Sequence, residues 1–463
     1  MSTAVKKTSS NQIDMCEGAL FPKFLRFAIP VMLANMLQTL FNAADMAIIG
    51  VFCGDVSLAA ISSTGSLCAF LTGLLMGLSV GSNVLAARFF GAKDDSHLSK
   101  TVHTSLVISL IAGILVTVIG LIFAPMLLEA MNVPDNVLPL SKTYLFIYFL
   151  GITPTIIFNY AAAVLRAVGD TKRPLYYLMF AGVLNVLLNI LFVTVIKLDV
   201  AGVAIATVIS QTLAMILIIR CLLRETGAMR FEWKKLALDK SIALQIIRIG
   251  LPAGLQTSLF SVSNIAIQSS INVFGDAAIS GSGAMATIES IAYVAMNAWT
   301  TVVVSSTSQN FGVRNHKRII NSQLLGQACV IAVGVFFAIK YSIFGKTLLG
   351  MFVDSPEALE AGLLRMNYIG KMYFTCGIMD VLTSGLRGLG RSFLPMLVSL
   401  FGSVLLRIVW VNTVFLIPEY HTLSTVFFIY PVSWILTSSV LLIMFIFSYR
   451  KTVRQFTCEY SML

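Results

Sequence analysis

Charge is what this sequence has least of. Its 463 residues include 32 basic and 21 acidic ones, 11% in all, where a soluble globular domain carries about 25%. Hydrophobic residues make up 57%, and the mean hydropathy is +0.88. That shortage excludes a soluble globule and a disordered chain. It leaves a polytopic membrane protein whose apolar segments are solvated by lipid. Paired cysteines are also missing. Cys16, Cys53, Cys68, Cys221, Cys329, Cys376 and Cys458 form no CxxC and no paired spacing, so they frame neither a metal site nor a disulfide scaffold. Histidine is scarce: His97, His103, His316 and His421 fall in loops or at span ends and are assigned no chemistry. Residues 1–22 hold no apolar core of a cleavable signal, and neither end shows a lipidation pattern. No His or Asp groups converge as a nucleophile or metal site, so no enzyme and no resident cofactor are expected.

What is present is a series of long apolar runs. Stretches of about 20 residues occur at 23–50, 57–84, 102–125, 143–165, 175–196, 201–223, 243–273, 279–305, 319–344, 365–386, 393–417 and 423–449. Barrel strands would read as short alternating segments. The expected fold class is therefore an all-α polytopic membrane protein with twelve transmembrane helices. With these spans, 25 basic residues fall on the side of the N-terminus, among them Lys6, Lys7, Arg88, Arg166, Lys234, Lys235 and Arg314. Six fall on the other: Lys142, Lys197, Lys340, Lys346, Arg365 and Lys371. Arg407 lies within a span. That bias places both termini in the cytoplasm of a cell membrane. It also accounts for the net charge of +11 without a nucleic-acid partner.

The chain is written twice. "RFAIP" at 26–30 returns as "RIGLP" at 248–252, "FFGAK" at 89–93 as "NFGVR" at 310–314, and "LRAVGDTKRP" at 165–174 as "LRGLGRSFLP" at 386–395. The offset stays at 221 or 222. Six spans is an even number, so the halves insert with the same polarity, as two parallel six-helix halves related by an axis along the membrane normal. The expected domains are a cytoplasmic tail 1–22, a bundle 23–223, a cytoplasmic linker 224–242, a second bundle 243–449 and a cytoplasmic tail 450–463. Two such bundles suit an alternating-access transporter that holds substrate between the halves.

Taken in order, these segments resemble the MATE (multidrug and toxic compound extrusion) family of efflux transporters. The resemblance rests on Pro30 followed by Asp45 in "PVMLANMLQTLFNAAD", on "RFFGAKD", "LRAVGDTKRP", "LNVLLN" leading to "AGVAIAT", and "LRGLGRS". It covers essentially the whole chain. It implies export of amphipathic, mostly cationic organic compounds in exchange for inward H+ or Na+, by a protein functional as a monomer. It also implies a coupling-ion site at Asp45, Asn185, Asn189 and Thr207, with Na+ the one ion such a site would take besides a proton. Two spans depart from the family pattern. Asn189 stands where a second carboxylate is usual in span 5, and Phe260 and Ser261 stand where some members carry a glutamate in span 7.

The polar residues inside the spans give an independent reading. Asn35, Gln38, Asn42 and Asp45 fall within an arc of about 80° on span 1. A polar stripe there faces protein or water. Asn185 and Asn189 share a face of span 5, and their oxygens suit either interhelical packing or the holding of a carboxyl or cation. Span 7 repeats the stripe as Ser261, Asn264, Gln268 and Asn272 without a carboxylate. Charge in the second half comes instead from Glu289, Asp380 and Arg407, with Tyr293 one turn from Glu289. Gln38, Asn42, Asn264, Gln268, Glu289, Tyr293, Asp380 and Arg407 are the candidate substrate-cavity residues. Arg407 is expected to pair with Asp380 or Glu289, because an unpaired charge at depth is costly. The other carboxylate is then free for a cationic substrate. Pro30 either bends span 1 during transport or sets a static kink. The rival function is a flippase of a lipid-linked saccharide or other lipid precursor, which would want a basic cavity. The three acids against one arginine argue for cations.

The orientation has a direct test. In a cysteine-free background, a cysteine beside Asp276 or Glu419 should label with a membrane-impermeant maleimide on intact cells, and one beside Lys234 should not. The reverse pattern would invert the topology.

Overall fold

The computed structural model describes residues 12–131 and 133–460. Lys6 and Lys7, and the outer parts of both expected tails, lie outside them. Every regular element among the described residues is helical. The first half contains α1 (Leu20–Phe52), α2 (Asp55–Gly91), α3 (Asp95–Ala130), α4 (Leu138–Leu150), α5 (Ile152–Ala167), α6 (Lys172–Ile190) and α7 (Asp199–Arg224). The second contains α8 (Lys240–Asn272), α9 (Asp276–Gly312), α10 (His316–Leu349), α11 (Pro356–Tyr368), α12 (Phe374–Gly388), α13 (Phe393–Ser399), α14 (Leu406–Asn412) and α15 (Leu423–Tyr460). A π-helical turn, Leu191–Val195, continues α6, and another, Leu400–Leu405, joins α13 to α14. With α4–α5, α11–α12 and α13–α14 each taken as one broken rod, there are twelve rods among the described residues.

Among the described residues, eight helices are by length and composition able to cross a membrane, and the pair α4–α5, bent by 45°, makes a ninth. α8 and α9, 33 and 37 residues long, are long enough to cross but more polar. Their polar residues include the stripe from Ser261 to Asn272.

The repeat is visible in the backbone as well as in the letters. Gly54 and Gly275, each just before a 37-residue helix, have φ of 84° and 85°, which suits a residue without Cβ. Lys93 and Arg314 have φ of 56° and 59°. One residue later, Asp94 and Asn315 cap α3 and α10 by accepting the backbone N–H of His97 (3.0 Å) and Arg318 (3.1 Å). The bond from His97 also holds the Asp94 carboxyl below its usual range. The motif at 165–174 serves the same end of the first half. Arg173 bridges the buried carboxylates of Asp170 and Glu225, tying the start of α6 to the end of α7.

Contacts divide the chain into two units. The first unit holds the chain to Gly65 and Ser82–Ile246; the second holds Ser66–Gly81 and everything from Ile247. The middle of α2 thus packs inside the second unit, against α8. Both helices carry a GxxxG there, Gly73–Gly77 and Gly250–Gly254, a pattern that lets backbones touch. A Cβ on Gly77 would strike the Gly254 backbone, and one on Gly250 or Gly254 would strike the carbonyl of Leu78 or Leu74. Ser258 seals the seam by donating to the Phe70 carbonyl at 2.9 Å. α1 runs unbroken through Pro30, which is buried within it.

The seam makes a prediction. Gly254→Val forces two backbones apart and should cost roughly 1–3 kcal/mol or more, read as a lower melting temperature of the purified protein. Gly283→Ala on α9, with nothing within 4 Å of an added Cβ, should leave the temperature unchanged or raise it slightly.

Candidate functional site

In the first unit, α1, α6 and α7 bring the residues of the expected coupling site into one hydrogen-bonded chain. Asp45 accepts from the side-chain amide of Asn189, which also donates to Asn185 Oδ1 at 3.3 Å; Asn185 in turn donates to Thr207 Oγ1 at 3.3 Å. Asn189 is fully buried and Asn185 nearly so, while Asp45 and Thr207 are half-buried. The spacing Asn185–Asn189 is one helical turn, so both amides point the same way. The π-helical turn begins two residues after Asn189, in the kind of place such turns frequently mark. One lone pair stays unused: Asn189 Oδ1 is buried and meets no donor among the described residues.

This chain borders a cleft of about 390 Å³, part of it open to the exterior, lined also by Gln38, Phe41 and Asn42 from α1 and by Ser210 and Gln211 from α7. Asp45 is its one carboxylate among the described residues. α1 reaches α6 closely because Gly182 leaves room for the Phe41 ring, which a Cβ would overlap. Ser210, Gln211 and Phe41 are lining residues that the sequence analysis missed. Ser210 lies one turn from Thr207 on α7, and that spacing was the available signal.

The second unit differs from the expectation at two charges. Glu289 is not free for substrate. Its carboxylate takes a two-pronged ion pair from Arg365 on α11, Nε to Oε1 at 3.1 Å and Nη2 to Oε2 at 2.8 Å. Arg365 also donates to Ser282 Oγ at 2.9 Å, and its guanidinium sits 5.9 Å from the Phe427 ring centre. Both partners are buried. Arg365, counted among the six basic residues of the outer side, is thus an internal counter-ion. A planar fork that meets both carboxylate oxygens in parallel is geometry that arginine supplies and lysine does not.

Arg407 is the second correction. It pairs with neither Asp380 nor Glu289. Its Nε–H donates to Ser433 Oγ at 3.0 Å, and its guanidinium carbon lies 4.2 Å from the Tyr430 ring centre and 5.6 Å from that of Trp434. Aromatic faces stand in for the missing carboxylate. Asp380, half-buried on α12, has no ion pair among the described residues. The nearby Arg387 donates instead to Gln256 Oε1 at 2.8 Å. Tyr293 is 40% exposed. Asn264 and Gln268 are exposed on α8, where Gln268 bonds Asn272 of its own helix at 2.9 Å; no hydrogen bond among the described residues joins them to the charged groups.

The buried ion pair should behave as a unit. Arg365→Met alone strands the Glu289 charge and should cost about 3–5 kcal/mol, read as loss of a monodisperse peak on heating. Adding Glu289→Leu should recover most of that loss, because two apolar side chains replace two charges.

The MatE family model matches residues 30–191 and 252–411, one match in each half. A probable multidrug resistance protein of Bacillus subtilis, YpnP, is 30% identical over 399 residues, covering 85% of this chain and 88% of that protein. Among solved structures, one described as MATE in the bent conformation aligns with a TM-score of 0.90 at 20% identity, over 97% of this chain and all of that one. Another, a MOP superfamily transporter from Pyrococcus furiosus described as having a binding pocket of reverse polarity, aligns with a TM-score of 0.90 at 20% identity, over 96% of this chain and 99% of that one. These show the twelve-helix fold of two halves. Matched in both halves by the family model and over most of its length by a relative, the chain is a multi-pass membrane protein of the MATE family of transporters, not an enzyme.

Proposed function

We propose that this protein is a secondary active multidrug efflux antiporter of the cell membrane, working as a monomer with both termini in the cytoplasm. It exports amphipathic organic compounds, mostly cationic, in exchange for inward H+ or Na+. The observation that carries the reading is the hydrogen-bonded chain from Asp45 through Asn189 and Asn185 to Thr207, beside a cleft with one carboxylate. The name of the Bacillus relative, a probable multidrug resistance protein, supports the efflux part.

The chemistry follows from the charge on Asp45. Ionised, it draws a cation into the cleft, where low dielectric strengthens the attraction. Neutralised by a proton or by Na+, it releases that cation. Sodium would meet oxygens of Asp45, Asn185, Asn189 and Thr207, the unused lone pair of Asn189 among them. With a single carboxylate the set favours a proton over tight sodium binding. Exchange needs only that the two forms of Asp45 favour different conformations. The moving part is α1, which bends at Pro30 during transport; a similar structure is described as bent. In the second half, attraction of a cationic group falls to Asp380, since Arg365 neutralises Glu289.

Asp45→Asn, which copies the neutral form, should abolish uphill export of a fluorescent organic cation from proteoliposomes under imposed H+ and Na+ gradients, while the protein stays folded. Undiminished export by that variant would move the coupling charge to Asp380.

A further inference from the structure

One charge in the second half is left without a use. Glu289 and Arg365 cancel. Asp380 serves cationic groups in the proposed efflux mechanism, and a role for Arg407 in the same substrate path rests on that mechanism. Arg407 is 2% exposed, has no carboxylate within ion-pair distance among the described residues, and its terminal nitrogen Nη2 is buried with no acceptor. A buried donor left unsatisfied carries a full desolvation cost, and a charged one at membrane depth carries more. Three features of its surroundings are those of a recognition site. The π-helical turn Leu400–Leu405 ends two residues before it, and such turns frequently occur at functional sites. Ser433 holds Nε, which aims the rest of the fork. Tyr430 and Trp434 wall the guanidinium with ring centres 5.6 Å apart, and Tyr373 abuts Trp434 edge-on at 5.5 Å.

We propose that Arg407 is an anion-recognising residue of the substrate path. It takes a carboxylate or phosphate group carried by an aromatic amphipathic compound, whose ring lies among Tyr430, Trp434 and Tyr373. Nη2 carries two N–H and meets no acceptor among the described residues, so the end of the guanidinium fork suits the planar, two-oxygen geometry of such groups. Asp380 and Arg407 together then describe a second half that accepts zwitterions: a cationic group at one and an anionic group at the other. Within this half, strictly cationic compounds use Asp380 and not Arg407.

Calorimetric titration of the full-length protein in phosphatidylcholine nanodiscs tests this with three probes that share one ring: 2-naphthoate, 2-naphthylmethanol and 2-naphthylmethylammonium. The wild type should bind naphthoate about tenfold more tightly than the alcohol, the scale of one charge-assisted hydrogen bond. Arg407→Gln should erase that preference and leave binding of the ammonium compound within about twofold. Ser433→Ala, which keeps the charge and removes its positioning bond, should reduce the preference partially. Equal binding of naphthoate and alcohol by the wild type overturns the proposal whether or not the Arg407 variant folds. So does a preference that survives Arg407→Gln. Loss of the preference when phosphatidylglycerol replaces phosphatidylcholine would put a lipid phosphate at Arg407 and overturn its assignment to exported compounds. Proteoliposome export of the ammonium probe separates this proposal from the efflux reading. Export present with no naphthoate preference sinks the anion subsite alone; naphthoate preference with no export of any probe sinks the efflux reading alone.

Discussion

A charged side chain at membrane depth must be neutralised, hydrogen-bonded or put to use, because lipid offers no water to solvate it. The interior polar structure of this protein follows from that constraint, and its charged groups meet it in different ways. Asp45 accepts an amide hydrogen bond and borders an open cleft. Glu289 is matched in charge and shape by Arg365. Asp380 stays half-buried beside Arg387. Arg407 is wrapped by aromatic rings, with its Nη2 left without an acceptor among the described residues. Of these, the Glu289–Arg365 pair alone is closed on itself, and so that pair alone is structural by its own geometry.

The two halves share a scaffold and differ in chemistry. Helix lengths, left-handed turns and side-chain caps recur about 221 residues apart: 37-residue α2 and α9, Gly54 and Gly275, Asp94 and Asn315. These are backbone requirements, and a residue that satisfies them in one half satisfies them in the other. The charges do not recur. α1 carries Asp45 where the polar stripe of α8 carries no acid, and the second half places its charges on α9, α11, α12 and α14.

Class and periodicity were legible in the letters alone. Scarce charge and long apolar runs permit only lipid-spanning helices, and repetition of three motifs at one offset permits only two like halves. The first-half set Asp45, Asn185, Asn189 and Thr207 came from the family resemblance; helical spacing by itself put only Asn185 and Asn189 on a common face. The partners came from the packing. Arg365 reads as an outer-side basic residue near the start of an apolar run, and only the packing of α11 on α9 turns it toward Glu289. Arg407 reads as half of an ion pair, and only α15, which brings Tyr430, Ser433 and Trp434 beside it, supplies another solution. The middle of α2 reads as part of the first bundle, and only glycine-to-glycine contact with α8 assigns it to the second unit. Periodicity is a local property of the chain, so it survives in the letters. Pairing depends on which helix face meets which, a choice made among residues dozens to hundreds of positions apart, and no spacing records it.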